Sequence, residues 1–192
     1  IAMQALKSVV VSMFLLAIVA VINAQTINLD TNFHIKRICG SAELYDSEKI
    51  ATVIVCYAPQ CPICIAQTKT LQALYDSIKP KGVNMILIYP GGYYSKGFIR
   101  KFQKQYKLKI TAFLDKSMEL TNALNATVTP QAFVIDSSGK LQYSGKIDNW
   151  FEDIGKRRTV ITEFYLLDAV NAILEQKEPK VKQTVPVGCF IN

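Results

Sequence analysis

The sequence predicts an α/β fold in which a central mixed sheet is flanked by helices. Three observations carry this. Apolar runs of strand length at Ala51–Tyr57, Val83–Tyr89 and Gln131–Ile135 alternate with segments of helical period. The first two runs are continuous and rich in β-branched residues, as expected of strands covered on both faces. Proline and glycine clusters at Pro80–Gly82, Pro90-Gly91-Gly92 and Asp136-Ser137-Ser138-Gly139 separate the segments.

Residues 25–50 are polar and mixed, with Gly40 as a turn, and read as an N-terminal extension with short strands. Ala51–Tyr57 is a buried strand, broken by Ala58-Pro59-Gln60. A helix follows from Cys61, with Leu71, Leu74, Tyr75 and Ile78 on one face, ending at Pro80 and Gly82. Val83–Tyr89 is a second strand. Ser95 caps a second helix that carries Phe98, Ile99, Phe102 and Tyr106 on one side. Thr111–Leu114 is a short strand, Ser117–Asn125 a short helix and Gln131–Ile135 a third buried strand. The turn at Asp136–Gly139 folds Leu141–Ile147 back as its antiparallel partner. Thr162–Glu175 is the last helix, with Leu166, Leu167, Val170, Ile173 and Leu174 inward. Parallel strands joined by helices need right-handed crossovers, so the sheet is mixed.

Three segments divide the chain of 192 residues. Residues 1–24 have the layout of a signal peptide. Lys7 precedes an apolar run from Val9 to Ile22, and Ala24 offers a small residue for cleavage before Gln25. Met3 reads as the start, with Ile1 and Ala2 as upstream carry-over. The run is about 14 residues, short of the roughly 20 of a membrane span. An uncleaved anchor is the other reading, and membrane contact would then come through residues 3–24. Residues 25–178 form one domain, and 179–192 a C-terminal tail with Cys189. Export implies a periplasmic or secreted protein in an oxidising compartment. Losing Lys7 takes the 22 basic residues to 21 against 15 acidic ones, a net +6. That excess lies along a helix face and a loop, and no nucleic-acid motif accompanies it.

The chemistry is expected at Cys61-Pro62-Ile63-Cys64, between a buried strand and a helix. A cysteine at a helix N-terminus meets unpaired N–H groups and the positive end of the dipole, which favour its thiolate. Cys64 lies one turn further on the same face. Pro62 suits the first turn, where its missing N–H is not needed. Cys61 is thus read as the attacking thiol and Cys64 as the resolving one, with a redox disulfide between them. A purely structural disulfide would close too short a loop to stabilise much. A metal site lacks further ligands beyond the single His34, so no metal and no bound cofactor is expected.

Thr129-Pro130 stands just before the third strand, where a proline is tolerated. Together with Val53–Cys64, Asp115, Thr129–Asp136, Gly139 and Tyr143–Asp148, it resembles the thioredoxin superfamily, and within it the redoxin-type (AhpC/TSA-like) exported thiol–disulfide oxidoreductases. The likeness spans roughly 26–178. It implies a thioredoxin-like fold, a cis peptide at Pro130 that packs against the dithiol and helps present the substrate backbone as part of the catalytic site, and substrate contacts from Thr129 and Pro62. It also implies protein thiol or disulfide substrates and an exported or membrane redox donor. Gln60 replaces the tryptophan usual in thioredoxin-like reductants, and Pro-Ile replaces Gly-Pro, which leaves the direction of electron flow open.

Two other activities are alternatives. A peroxiredoxin-like thiol peroxidase, with antioxidant activity, resembles Pro-x-x-x-Thr/Ser-x-x-Cys, but Ala58 stands three residues before Cys61. A copper-delivery chaperone needs a different cysteine spacing and a histidine downstream. Cys56 is expected to be a core thiol. Cys39 and Cys189 are left to pair with each other, or Cys189 to relay disulfides to Cys61–Cys64 or bind metal or a partner. Tyr93, Tyr94, Trp150 and Phe151 are rim candidates, and Asp148 and Glu152 candidate proton acceptors.

Overall fold

Ala51–Cys56 forms the strand around which the molecule is built. The computed structural model describes residues 36–191 except 42, 45 and 47. The expected signal peptide and His34 therefore lie outside the described residues. In chain order the elements are β1 (Lys36–Cys39), β2 (Ala51–Cys56), α1 (Pro62–Ile78), β3 (Val83–Pro90), α2 (Lys96–Gln105), β4 (Thr111–Asp115) and α3 (Glu119–Ala123). They continue with β5 (Val128–Thr129), β6 (Gln131–Asp136), β7 (Leu141–Gly145), β8 (Phe151–Asp153), β9 (Lys156–Arg157), α4 (Tyr165–Leu174) and β10 (Cys189–Phe190).

The main sheet has the order β1-β4-β3-β2-β6-β7. β2, β3 and β4 run parallel; β1, β6 and β7 pair antiparallel to their neighbours. β2 and β3 are buried along their whole length, because both faces are covered. Alternation sorts the side chains. Val53, Val55, Leu87, Tyr89 and Val134 share one core with Leu71 and Ile78 of α1, Ile99 of α2 and Leu166 and Val170 of α4. Ile54, Cys56, Ile86, Ile88 and Phe133 face the other way, onto Leu120 and Leu124 around α3. The register sets the site: Cys56 lies opposite Gln131, so the loop leaving β2 and the segment entering β6 meet at one end of the sheet.

The structure departs from the sequence expectations at element ends. The third helix spans only Glu119–Ala123, not 117–125. Met118 takes a left-handed conformation, and the buried Asp115 carboxylate accepts from the Thr121 N–H and hydroxyl, fixing the start. The last helix begins at Tyr165 rather than Thr162, because the Glu163 carbonyl, which a longer helix would use, accepts the Asn149 N–H at 3.1 Å, and the Asn149 side chain binds the Thr162 and Glu163 N–H groups. β7 stops at Gly145, since the next N–H, of Lys146, goes to the Thr184 hydroxyl. Phe98 faces outward and stacks on Tyr94 instead of joining the core. The β8–β9 hairpin was not expected.

The tail returns to the body of the protein. The Ser144 N–H donates to Lys182, and the Thr184 N–H to Ser144, so residues 182–184 lie along β7. Further on, β10 pairs antiparallel with β5, with Cys189 opposite Thr129.

Candidate active site

Tyr57 continues β2 by donating its N–H to Ile88 at 2.8 Å, and the chain then turns so that the Cys61 N–H reaches Ala58 at 3.2 Å. Cys61 is the N-cap of α1, with extended backbone and Pro62 next. Its carbonyl accepts from Ile65 at 2.9 Å, the first intrahelical bond. Cys64, one turn in, is fully buried; the Ala58 N–H points at its sulfur at 3.5 Å. The Tyr57 hydroxyl donates to the Cys64 carbonyl. Pro62 is exposed beside these thiols.

The Thr129–Pro130 bond is cis, as the resemblance implied. Thr129 and Pro130 are both buried. The neutral Cys61 thiol donates to the Thr129 carbonyl at 3.0 Å, which places the dithiol against this segment across 68 residues of chain; the thiolate cannot make this bond. A third cysteine joins them: the Cys189 sulfur donates to the Cys61 sulfur at 2.7 Å.

The electrostatics separate the thiols. The hydrogen bond from Cys64 lowers the Cys61 pKa to about 5, opposed by burial and reinforced by the bond from Cys189. Burial pushes Cys64 well above the usual thiol value, and the Cys61 thiolate adds to the shift. Cys189 is pushed up to about 12, first by burial and then by Cys61. These shifts make Cys61 the most readily ionised of the three thiols, while Cys64 and Cys189 hold their protons more tightly.

A family model for "AhpC/TSA family" matches residues 25–144. The chain belongs to the AhpC/TSA family. Among curated relatives it is 26% identical over 99 residues to "Thiol-disulfide oxidoreductase ResA" of Bacillus cereus, covering 52% of this chain and 56% of that one. A Bacillus thuringiensis protein of the same name is 27% identical over the same extent. The chain thus aligns with little more than half the length of these relatives. Among solved structures, an uncharacterized conserved protein from Geobacillus kaustophilus superposes with a TM-score of 0.74 at 23% identity, over 88% of this chain and 92% of that one. A thioredoxin-like protein in its oxidised form gives 0.53 at 17% identity, over 71% and 88%. The fold is thioredoxin-like.

Around the dithiol of this AhpC/TSA-family chain, Tyr93 and Tyr94 line a cavity of about 210 Å³ with Tyr57, Pro90, Thr129 and Phe190. Phe151 lines a smaller recess with Ile63, Pro130 and Asp148. Asp148 is buried; one oxygen accepts from the Gln67 amide at 3.1 Å and the Trp150 N–H at 2.9 Å, and burial raises its pKa. Glu152 lies apart from the thiols, paired with Lys156 and Arg158 on the β8–β9 hairpin. Trp150 packs on Phe151 and lies near Arg157.

Cys56 is wholly buried in β2, and its side chain faces the sheet's other core. The Cys39–Cys189 bond is not formed: Cys39 sits on β1 opposite Ala112, whereas Cys189 sits on Cys61. The placement of Cys189 is what sequence reasoning left unassigned. The signals available were the odd cysteine count and the Gly188-Cys189 pair, and neither carries the β10–β5 register.

Proposed function

We propose that this protein is an exported thiol–disulfide oxidoreductase acting on protein substrates through Cys61 and Cys64. The observation that carries the proposal is the placement of the Cys61 sulfur at the start of α1, one turn from Cys64 and 3.0 Å from the carbonyl of Thr129 beside cis-Pro130, with its pKa lowered by its neighbours. The Cys61 thiolate attacks a substrate disulfide; its sulfur bonds to one substrate sulfur and the other leaves as a thiolate. Cys64 then gives up its proton and attacks the Cys61 sulfur. The second substrate sulfur leaves, and the Cys61–Cys64 disulfide forms. Both electrons come from the dithiol, and a thiol donor of exported or membrane type restores it. Run backwards, the same steps oxidise a substrate dithiol. Thr129 and Pro62 hold the substrate chain, Thr129 by its backbone and Pro62 by its exposed ring.

The names of the Bacillus relatives support the activity, and residues 3–24 support export. Among the described residues no helix is long and apolar enough to cross a membrane. Thiol exchange is favoured over a peroxidase because Ala58 has no hydroxyl and offers only its N–H, which is directed at Cys64. The test is reduction of insulin by dithiothreitol with and without the protein. Catalysis by the wild type and its loss in Cys61→Ser are expected. Rapid hydrogen peroxide turnover without insulin reduction would replace the proposal with the peroxidase. Export is checked by N-terminal sequencing of protein secreted by a bacterial host, with Gln25 expected as the first residue.

A further inference from the structure

We propose that Cys189 is a third redox thiol, carried on a C-terminal strap that lies on the active site as an internal substrate and forms a disulfide with Cys61. The proposal rests on Cys61 being the attacking thiol.

The strap is held at two places. Thr184 anchors it to β7: its hydroxyl bonds the Tyr143 hydroxyl at 2.8 Å and accepts the Lys146 N–H at 2.8 Å. Gly145 makes room for this anchor, since a Cβ there would fall 2.1 Å from the Thr184 hydroxyl. At the far end the Ile191 N–H reaches the Thr127 carbonyl at 3.0 Å, and β10 pairs with β5. Between them, Gly188 passes so close to the Thr129 carbonyl that a Cβ would lie 2.3 Å from its oxygen. The strap is seated as tightly as backbone permits.

Register decides which side chain meets the dithiol. Neighbouring residues of a strand point to opposite faces, so a slip of one residue would turn Cys189 away. In the observed register Cys189 faces Cys61 at 2.7 Å, while Phe190 is 77% exposed. A strap serving only to cover the site would bury its phenylalanine and needs no thiol. This one presents a sulfur to the attacking sulfur, on a strand paired with the residue before Pro130. Cys61 is left 3% exposed, so a protein substrate must displace the strap.

Cys61 therefore has two thiols within reach, Cys64 from α1 and Cys189 from β10. In the oxidised protein, Cys189 loses its proton and attacks the Cys61 sulfur of the Cys61–Cys64 disulfide. That bond breaks, the Cys61–Cys189 bond forms, and Cys64 leaves as a thiolate that takes up the proton. One disulfide and one thiol stand on each side, so no external oxidant is consumed. The strap thus competes with protein substrates for Cys61 and, when linked, locks the site shut.

The experiment maps disulfides in the full chain after equilibration with reduced and oxidised glutathione, acid quench, alkylation of free thiols and peptide mass spectrometry. In Cys64→Ala, glutathione disulfide first caps Cys61, and Cys189 then displaces glutathione. The expected product is a peptide pair linked through Cys61 and Cys189. Wild type is expected to yield this pair alongside Cys61–Cys64, so the measurement stands even if Cys64→Ala fails to fold. Gly188→Ala, which lifts the strap, should lower the linked fraction by about tenfold, the order expected for one overpacked methyl. It should also speed alkylation of Cys61 in the reduced protein. Recovery of Cys61 capped by glutathione with Cys189 free in Cys64→Ala would overturn the proposal, as would wild type without the linked pair. Insulin reduction separates the two levels: its dependence on Cys61 tests the oxidoreductase, and the peptide map tests the strap.

Discussion

Cys61 owes its lowered pKa to its neighbours more than to its own type. An isolated thiol would be mostly protonated at neutral pH. Here the bond from Cys64, with that from Cys189, lowers its pKa to about 5 against the effect of burial. Reaction of the reduced protein with iodoacetamide should follow a single titration near pH 5, with Cys61 unreactive below it and at full rate by pH 7. A titration midpoint above pH 8 would contradict the three-thiol arrangement. The same depressed pKa makes the Cys61 thiolate stabilise the fold. That contribution is complete above the ordinary thiol value and is lost as pH falls through about 5. Asp148 is a different kind of buried group. Its carboxylate is what pairs the Gln67 amide and the Trp150 N–H. Asp148→Ala would leave the buried Gln67 amide and the half-buried Trp150 N–H unmatched, at about 1–3 kcal/mol in urea unfolding. An unchanged urea midpoint would show that water replaces the carboxylate.

The elements themselves follow from short stretches of sequence. Ser95 shows how local the causes are: its hydroxyl accepts the Phe98 N–H at 3.2 Å and starts α2. Ser95→Ala should cost about 1 kcal/mol of stability and leave thiol exchange unchanged. A larger loss, or a changed exchange rate, would tie the α2 cap to the site. β2 and β3 were legible because continuous apolar runs admit few other structures, and α1 because its apolar period is regular. The ends of elements were not. The starts of α3 and α4 depend on Asp115 and Asn149 reaching groups that the helix pattern does not name. The β8–β9 hairpin buries little of its surface, so its sequence carries no hydrophobic period to read.

At the scale of the whole molecule, the site is a product of sheet topology. β2 and β6 are neighbours in antiparallel register, which brings Cys61 and Thr129 together although 68 residues separate them. Much of this was legible: the cysteine pair at the start of α1 and the proline ahead of β6 were both visible as local patterns. The strap was not, because the position of Cys189 depends on long-range pairing to β5 and on anchoring at Thr184. No periodicity records either. The same topology explains why the site is closed in this state, with Cys61 buried beneath β10. The account stands most directly on the catalysed reduction of insulin, measured for wild type and Cys61→Ser under identical dithiothreitol. It predicts that the wild type accelerates the reaction and that the variant falls by at least about a hundredfold, to the uncatalysed rate. A Cys61→Ser protein that keeps full activity would contradict it.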